Sequence, residues 1–421
     1  MSRQSIYLGT TAGDKTGTNL KVGGKMINDM TRELYDLRAK TVDLTAFVVN
    51  DEEDLYAHES QIVITRVGSK TLLLVMYMRN QTLTTEWELS GHAILKVFEL
   101  TTKKLLKTFD LFYPGLSADL TMPADEIINV PRMYVTGATL KCFCPNESTL
   151  YERDIDISGI DPTVWTAGNL VVTEMYMKDS GGNTVLADVT STNIQTHLKY
   201  VLGDDYAGYA NMMPLFRNMD IAKSGTNWYT VLEFSGEKSH ELGNIAMCLT
   251  SSNSGVTWTF GTLIGYTTSV RNNFYECSMA FVGTTLHFIT RPYLYHYVST
   301  NNGVTWTVST ALSTILTTYM ASKPAMINCT INGTATILLA ATLASEIVGT
   351  LLRNTLIILS TTDMVTFTEV DKITTNSDAH YPCLFYWGRA IYCSYTKGLK
   401  FNSVTGNDPL DRNVIVVARI S

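Results

Sequence analysis

The sequence predicts an all-β protein, a six-bladed β-propeller preceded by a short N-terminal arm and helix. Three observations carry this. From about residue 58 the chain is a succession of strand-like runs, among them SQIVITRV, TLLLVMYM, NWYTVLEF, TLHFITR, TLIILST and NVIVVARI. They are rich in Val, Ile, Thr and Tyr and bounded by Gly, Asn, Ser and Asp. The runs group into about six small meanders, over 60–110, 130–180, 210–260, 275–308, 324–369 and 380–420, and radially repeated four-stranded blades are the all-β architecture that leaves only short sheet edges. Finally, the pentapeptide GVTWT is written twice, at 255–259 and 303–307, each time near the end of a meander.

The arm and helix come first, over 1–45, and the propeller follows over 58–421. In GGKMINDMTRELYDLRAK the apolar residues Ile27, Met30, Leu34 and Leu37 are spaced three, four and three apart, a heptad seam. Two heptads do not hold together alone in water, so this oligomerisation helix needs copies of itself or a neighbouring body.

Composition narrows the partners. The 421 residues are 45% apolar and 17% charged, a globular balance, and the formal charge of −7 without a Lys/Arg block gives no footprint for nucleic acid. The first twenty residues lack the basic segment and apolar core of a secretory signal. The most apolar stretch, 334–352, is β-branched and interrupted by Glu346, so it reads as a buried strand pair and not as membrane insertion. Cys142, Cys144, Cys248, Cys277, Cys329, Cys383 and Cys393 sit mostly in apolar runs and read as small core residues of a reducing compartment. No metal site and no cofactor are expected: Cys142 and Cys144 share a strand face, but no second pair or nearby His completes a ligand set.

The repeat has its own chemistry. Ser251, Asn253, Gly255 and Trp258 correspond to Ser299, Asn301, Gly303 and Trp306, and a degenerate third copy runs from Ser360 to Phe367 with Met for Gly and Phe for Trp. Asn bonds its own turn, Gly supplies a positive φ, and the indole packs beneath the hairpin. These positions are structural. The pattern resembles the Asp-box, the bacterial neuraminidase repeat of sialidases and other propellers, with Asn where Asp is usual.

That resemblance implies a sialidase-like propeller, and with it a site to test residue by residue. Sialidases hold a sugar carboxylate with three arginines, attack the anomeric carbon with a Tyr assisted by a Glu, and use an Asp as acid/base. YECSMAFVGTTLHFITR resembles the Glu and Arg strands and nominates Glu276 and Arg291; LLRNTLIILSTTDMVTF nominates Arg353; HYPCLFYWGRAIYCSY nominates Tyr381. By the resemblance Tyr381 and Glu276 are catalytic if the protein is an enzyme, and Arg291 and Arg353 bind the carboxylate or glycan. The first half departs from the pattern. In HESQIVITRV, Ser60 or Gln61 falls at the Arg position and Val63 near the usual Pro; Arg66 is roughly 20 Å along a strand, too far to substitute. No acid is clearly placed, with Glu86, Glu88, Asp204 and Asp205 only loosely positioned.

A second resemblance covers residues 6–37. Leu8 to Thr10, Gly13 to Gly17, Lys25 to Asn28 and Glu33 to Tyr35 are similar in order to the opening module of bacteriophage tail-fibre and tail-associated proteins, departing at Lys15, Thr18, Met26 and Met30. It implies a virion protein assembled in the host bacterial cytoplasm, whose partners are other tail proteins, copies of itself and a host surface glycan. The leading expectation is therefore a tail or tail-fibre component that attaches by its N-terminus and recognises host glycan or protein through its propeller. The alternatives are a propeller glycosidase acting on acidic surface sugars and an architectural propeller without ligand.

Overall fold

The computed structural model describes residues 46–49, 56–80, 91–113, 131–146, 149–174, 176–178, 184–186, 212–215, 220–236, 244–254, 259–266, 275–291, 295–310, 312, 316, 322–347, 350–374, 379–398 and 413–420. Ile27, Met30, Leu34 and Leu37, expected to form a helix, Gly255 and Trp258 of the first repeat, and Glu86, Glu88, Asp204 and Asp205 lie outside them.

Strands meander outward from an inner strand in six blades. Blade 1 comprises Tyr56–Val67, Lys70–Asn80, His92–Glu99 and Leu105–Phe112, and blade 2 comprises Arg132–Thr136, Thr139–Asn146, Thr149–Asp156 and Val171–Glu174. In blade 3 the inner position is split between Met212–Leu215 and Ala222–Ser224, which pair with opposite ends of Asn227–Gly236; Asn244–Ser251 and Thr259–Tyr266 follow. Blade 4 is Tyr275–Val282, Thr285–Arg291, Tyr295–Ser299 and Thr307–Ser309, and blade 5 is Ala325–Ile331, Thr334–Ile347, Thr350–Thr361 and Thr368–Thr374. Blade 6 is Ala379–Trp387, Ala390–Gly398 and Asn413–Ile420, completed by Phe47–Val48 from the opposite end of the chain. All-β, six-bladed architecture is thus as the sequence predicts, and the apolar stretch at 334–352 is a strand hairpin. No helix among the described residues is long and apolar enough to cross a membrane.

Phe47 pairs with Val417 and Val48 with Val416, and the Val49 N–H donates to the Ile415 carbonyl at 2.9 Å. The first described strand therefore closes the ring by supplying the outer strand of the last blade, so the propeller begins ahead of residue 58.

The strands lack simple apolar–polar alternation because both faces of each blade are covered. In blade 1, Leu72, Leu74 and Met76 pack toward blade 2 against Leu140 and Cys142, while Leu73, Val75 and Tyr77 pack toward blade 6 against Ile415 and Val417. Blade 5 repeats this: Leu338 and Ala340 face blade 6, and Ile337, Leu339 and Ala341 face blade 4. The period-2 geometry of a strand is intact, but each face finds an apolar neighbour. Cys142 and Cys144 point to one face, both buried in the layer between blades 1 and 2.

The three related turns each join a blade's third strand to its fourth. At Ser299 the hydroxyl donates to Asn301 Oδ1 at 2.9 Å and accepts from the Gly303 N–H at 2.8 Å, and the Thr305 N–H donates to Asn301 Oδ1 at 2.9 Å. Ser251 donates to Asn253 Oδ1 in the same way. Gly303 has φ +80°, and a Cβ there would meet Cys248 Sγ at 3.0 Å, so both the backbone angle and the close approach of blade 3 require glycine. The Trp306 indole donates to the Gly303 carbonyl at 3.2 Å and packs against the core shared by blades 3 and 4.

In the third copy the hydroxyl role falls to Thr361, not Ser360. Thr361 Oγ1 donates to Asp363 Oδ1 at 3.1 Å and accepts from the Met364 N–H at 2.8 Å, while the Ser360 hydroxyl meets the Thr368 carbonyl at 3.5 Å. The reason is length. This turn is one residue shorter, so Met364 takes the left-handed conformation that Asn302 takes in blade 4, and the Gly303 equivalent is absent. Phe367 packs against the core between blades 4 and 5.

Candidate functional site

All six blades present chemistry at the same end, where their inner strands begin. Blade 1 brings Glu59 and Ser60, blade 2 Arg132, blade 3 Asp220, blade 4 Glu276, blade 5 Lys323 and blade 6 Tyr381. Residues at strand starts around a propeller axis converge although they lie far apart in sequence.

Three of these strands carry a bulge at that end. Pairing slips by one residue between His58 and Gln61, between Tyr275 and Ser278, and between His380 and Cys383. A bulge re-aims the extra residue and bends its strand. Its first residue is Glu59, Glu276 and Tyr381 respectively, each at positive φ (52°, 46° and 52°).

The structure brings three of the four nominated residues together. The Tyr381 phenol donates to Glu276 Oε1 at 3.3 Å, and Arg291 Nε donates to Glu276 Oε2 at 2.5 Å. Arg291 reaches the carboxylate because the hairpin folds it opposite Tyr275, the neighbour of Glu276. Glu276 and Tyr381 are both buried. The Tyr381 N–H donates to Ser322 Oγ at 3.1 Å, Ser322 donates to Thr342 Oγ1 at 2.8 Å, and the His380 ring stands edge-on to the phenol ring with centroids 4.8 Å apart. A carboxylate held by a guanidinium and touching a phenol is an arrangement that accepts the phenolic proton and yields an activated oxygen nucleophile. Arg353 lies in the third strand of blade 5; its side chain is outside the described residues.

Ser60 and Gln61, which stand where the resemblance calls for arginine, tie the inner strand of blade 1 to the second strand of blade 6 and to the inner strand of blade 2. Ser60 Oγ donates to Ser394 Oγ at 2.8 Å, and Gln61 Oε1 accepts from the Met133 N–H. Arg66 is exposed at the far end of the same strand.

Sequence reading missed the charged cluster beside them. Asp220 accepts from Ser278 Oγ at 2.7 Å and Lys323 Nζ at 2.9 Å, and its Oδ1 lies 3.2 Å from Arg132 Nη2. Blades 2, 3, 4 and 5 are tied through one carboxylate. Burial pushes the Asp220 carboxyl up, and Arg132 and Ser278 act against that rise. The only local signals were a cation beside proline at a strand start, in PRMYV and SKPAM. Glu59 was missed as well, although His58-Glu59 and His380-Tyr381 stand at matching positions of neighbouring blades.

Below the ring of charges lies a cavity of about 480 Å³. Glu59, Arg132, Asp220, Lys323 and Tyr381 line its polar end, while Tyr134, Phe385 and Trp387 belong to its aromatic wall. Lys223 also lines it, with Nζ 3.9 Å from the Tyr134 ring centre and 4.2 Å from that of Trp228, a cation over two aromatic faces.

A second titratable pair lies in blade 4, away from the axis. His287 Nδ1 and His296 Nε2 are 3.0 Å apart, both rings are buried, and burial pushes each imidazole down to about 4. The folded protein keeps both neutral where the unfolded chain, near 6.5, already binds protons. Stability present above pH 6.5 is therefore lost as pH falls toward 4, with a slope of about 1.4 kcal/mol per pH unit for each imidazole. Urea midpoints measured between pH 7 and 4 should show His296→Phe flattening this acid limb relative to the parent; parallel curves would refute it.

No protein-family model matches the chain, and no curated protein matches it. Solved structures do. Trypanosoma rangeli sialidase in complex with sialic acid superposes with a TM-score of 0.59 at 13% identity, over 90% of this chain and 57% of that one. The Hadza microbial sialidase Hz136 superposes with a TM-score of 0.58 at 12% identity, over 88% of this chain and 66% of that one. At such identity the likeness establishes the fold, a sialidase-like six-bladed propeller. The chain spans under two thirds of the length of the sialidases it resembles.

Proposed function

We propose that the propeller is a glycoside-hydrolase-type domain acting on an acidic surface sugar, with Tyr381 as nucleophile, Glu276 as the base that takes its proton, and Arg291 with Arg353 as cations for the sugar carboxylate. The observation that carries this reading is the continuous contact from Arg291 through Glu276 to the Tyr381 phenol, in a buried mouth at the propeller axis. A phenol is a poor nucleophile at its ordinary pKa, and a fixed carboxylate beside it is what the reaction needs. Hydrolysis of a 4-methylumbelliferyl sialoside, or of the corresponding uronides, tests it. Turnover above buffer supports the reading, and silence on the whole series removes it.

A second reading, recognition without cleavage, is favoured by Ser60 and Gln61, which stand in place of one clamp arginine and serve inter-strand bonds. Its signature is saturable binding of the acidic sugar with no product. The residue 6–37 resemblance supports placing either activity on a phage tail, through contacts to other tail proteins and to copies of this chain. Detection of the chain in purified virions tests that placement.

A further inference from the structure

We propose that Glu59 is the proton donor to the departing sugar oxygen, an inference that rests on the glycosidase reading. Its position carries the argument. Glu59 follows the His58/Met78 pair as Glu276 follows Tyr275/Arg291 and Tyr381 follows His380/Thr396, and in each case pairing resumes two residues later, one step out of register. The other described non-glycine residues at positive φ, such as Lys103, Asn302 and Arg389, sit in turns. These three alone sit in inner strands. One local device, used in three blades, presents a side chain to the axis, and two of the three already form the Tyr381–Glu276 contact.

Blade 1 adjoins blade 6, and blade 4 stands three blades away. Glu59 and Glu276 therefore occupy opposite walls of the mouth, and Glu59 shares a cavity lining with Tyr381. The other carboxylate of that lining, Asp220, is committed to Ser278, Lys323 and Arg132. Hydrolysis needs a nucleophile and a proton donor flanking the scissile bond, and Tyr381 and Glu59 line one cavity from adjoining blades. The Tyr381 oxygen bonds to the anomeric carbon and its proton passes to Glu276; Glu59 gives its proton to the glycosidic oxygen as the bond to the leaving alcohol breaks. Water then attacks the anomeric carbon, losing its proton to Glu59, and the released Tyr381 oxygen recovers its own from Glu276. Both groups end as they began.

The test compares Glu59→Gln with the parent on two substrates, an aryl sialoside with a good leaving group and a sialyl-lactose with a poor one. Loss of a general acid is expected to lower kcat/KM by roughly 10²-fold or more on the sialyl-lactose and by less than about tenfold on the aryl glycoside, and to abolish the basic limb of the pH–rate profile. Glu59→Asp, which keeps a proton, should retain that limb at reduced rate. Equal losses on both substrates, or an intact basic limb in Glu59→Gln, would overturn the assignment while leaving the glycosidase reading standing. A parent inactive on both substrates and on the corresponding uronides would remove that reading, and the acid with it.

Discussion

Glu276→Gln is expected to lower kcat/KM on an acidic aryl glycoside by roughly 10²- to 10⁴-fold, with thermal stability little changed. Gln keeps the shape of the carboxyl and can still meet both Arg291 and Tyr381, but it cannot take a proton. The Tyr381 phenol, 3.3 Å from Glu276 Oε1, then has no base at the moment its oxygen must bond to the anomeric carbon. Tyr381→Phe removes the reacting atom and should lose at least as much, and the double variant should be no worse than the poorer single one, because residues that act as a unit are not additive. Steady-state kinetics on the four proteins decides this. Multiplicative losses would mean that Tyr381 and Glu276 act independently and that their contact is structural. Binding of a non-hydrolysable acidic sugar supplies the second reading of the same variants: a recognition site would keep its affinity in Tyr381→Phe and show no turnover in the parent.

How much of this was legible in the sequence follows from the range over which each feature is written. The six meanders could be delimited because a blade is local. Its strands are consecutive, and its third-to-fourth turn carries a short motif whose Ser, Asn and Gly bond within a few residues of one another. In the third copy the sequence pattern points to Ser360 where the structure uses Thr361, because a missing residue in a turn leaves no trace in composition. Glu276, Arg291 and Tyr381 were reachable through a family pattern that spans two hairpins. Glu59 was not, since a bulge adds one residue without disturbing the apolar run after it, and the strand still reads QIVITRV. The Asp220 cluster was least accessible of all. Its members come singly from four blades, with Lys323 103 positions beyond Asp220, and only closure of the ring makes them neighbours.

That cluster leads to the second large effect, Asp220→Ala, which should destabilise the fold by about 3 kcal/mol. Lys323 and Arg132 are nearly inaccessible, with side chains 8% and 6% exposed, whereas Asp220 keeps 22% open to the cavity. Removing the carboxylate leaves two buried cations facing each other across the gap it filled, and it frees the Ser278 hydroxyl that also accepts the Met326 N–H from blade 5. The cost lies in the orphaned charges more than in the lost attraction. Adding Lys323→Met to Asp220→Ala should therefore restore part of the stability, although Lys323→Met alone lowers it by leaving Asp220 short of a donor. Urea unfolding of the four proteins gives the coupling term directly, and simple addition of the two losses would show that they are not one unit. The same series should reach the mouth of the site. Lys323 adjoins Ser322, which holds the Tyr381 backbone, so Asp220→Ala should weaken turnover by displacing Tyr381, and the double variant should recover activity along with stability. Recovery of stability without activity would place the Asp220 carboxylate in the chemistry itself, beyond its part in holding four blades together.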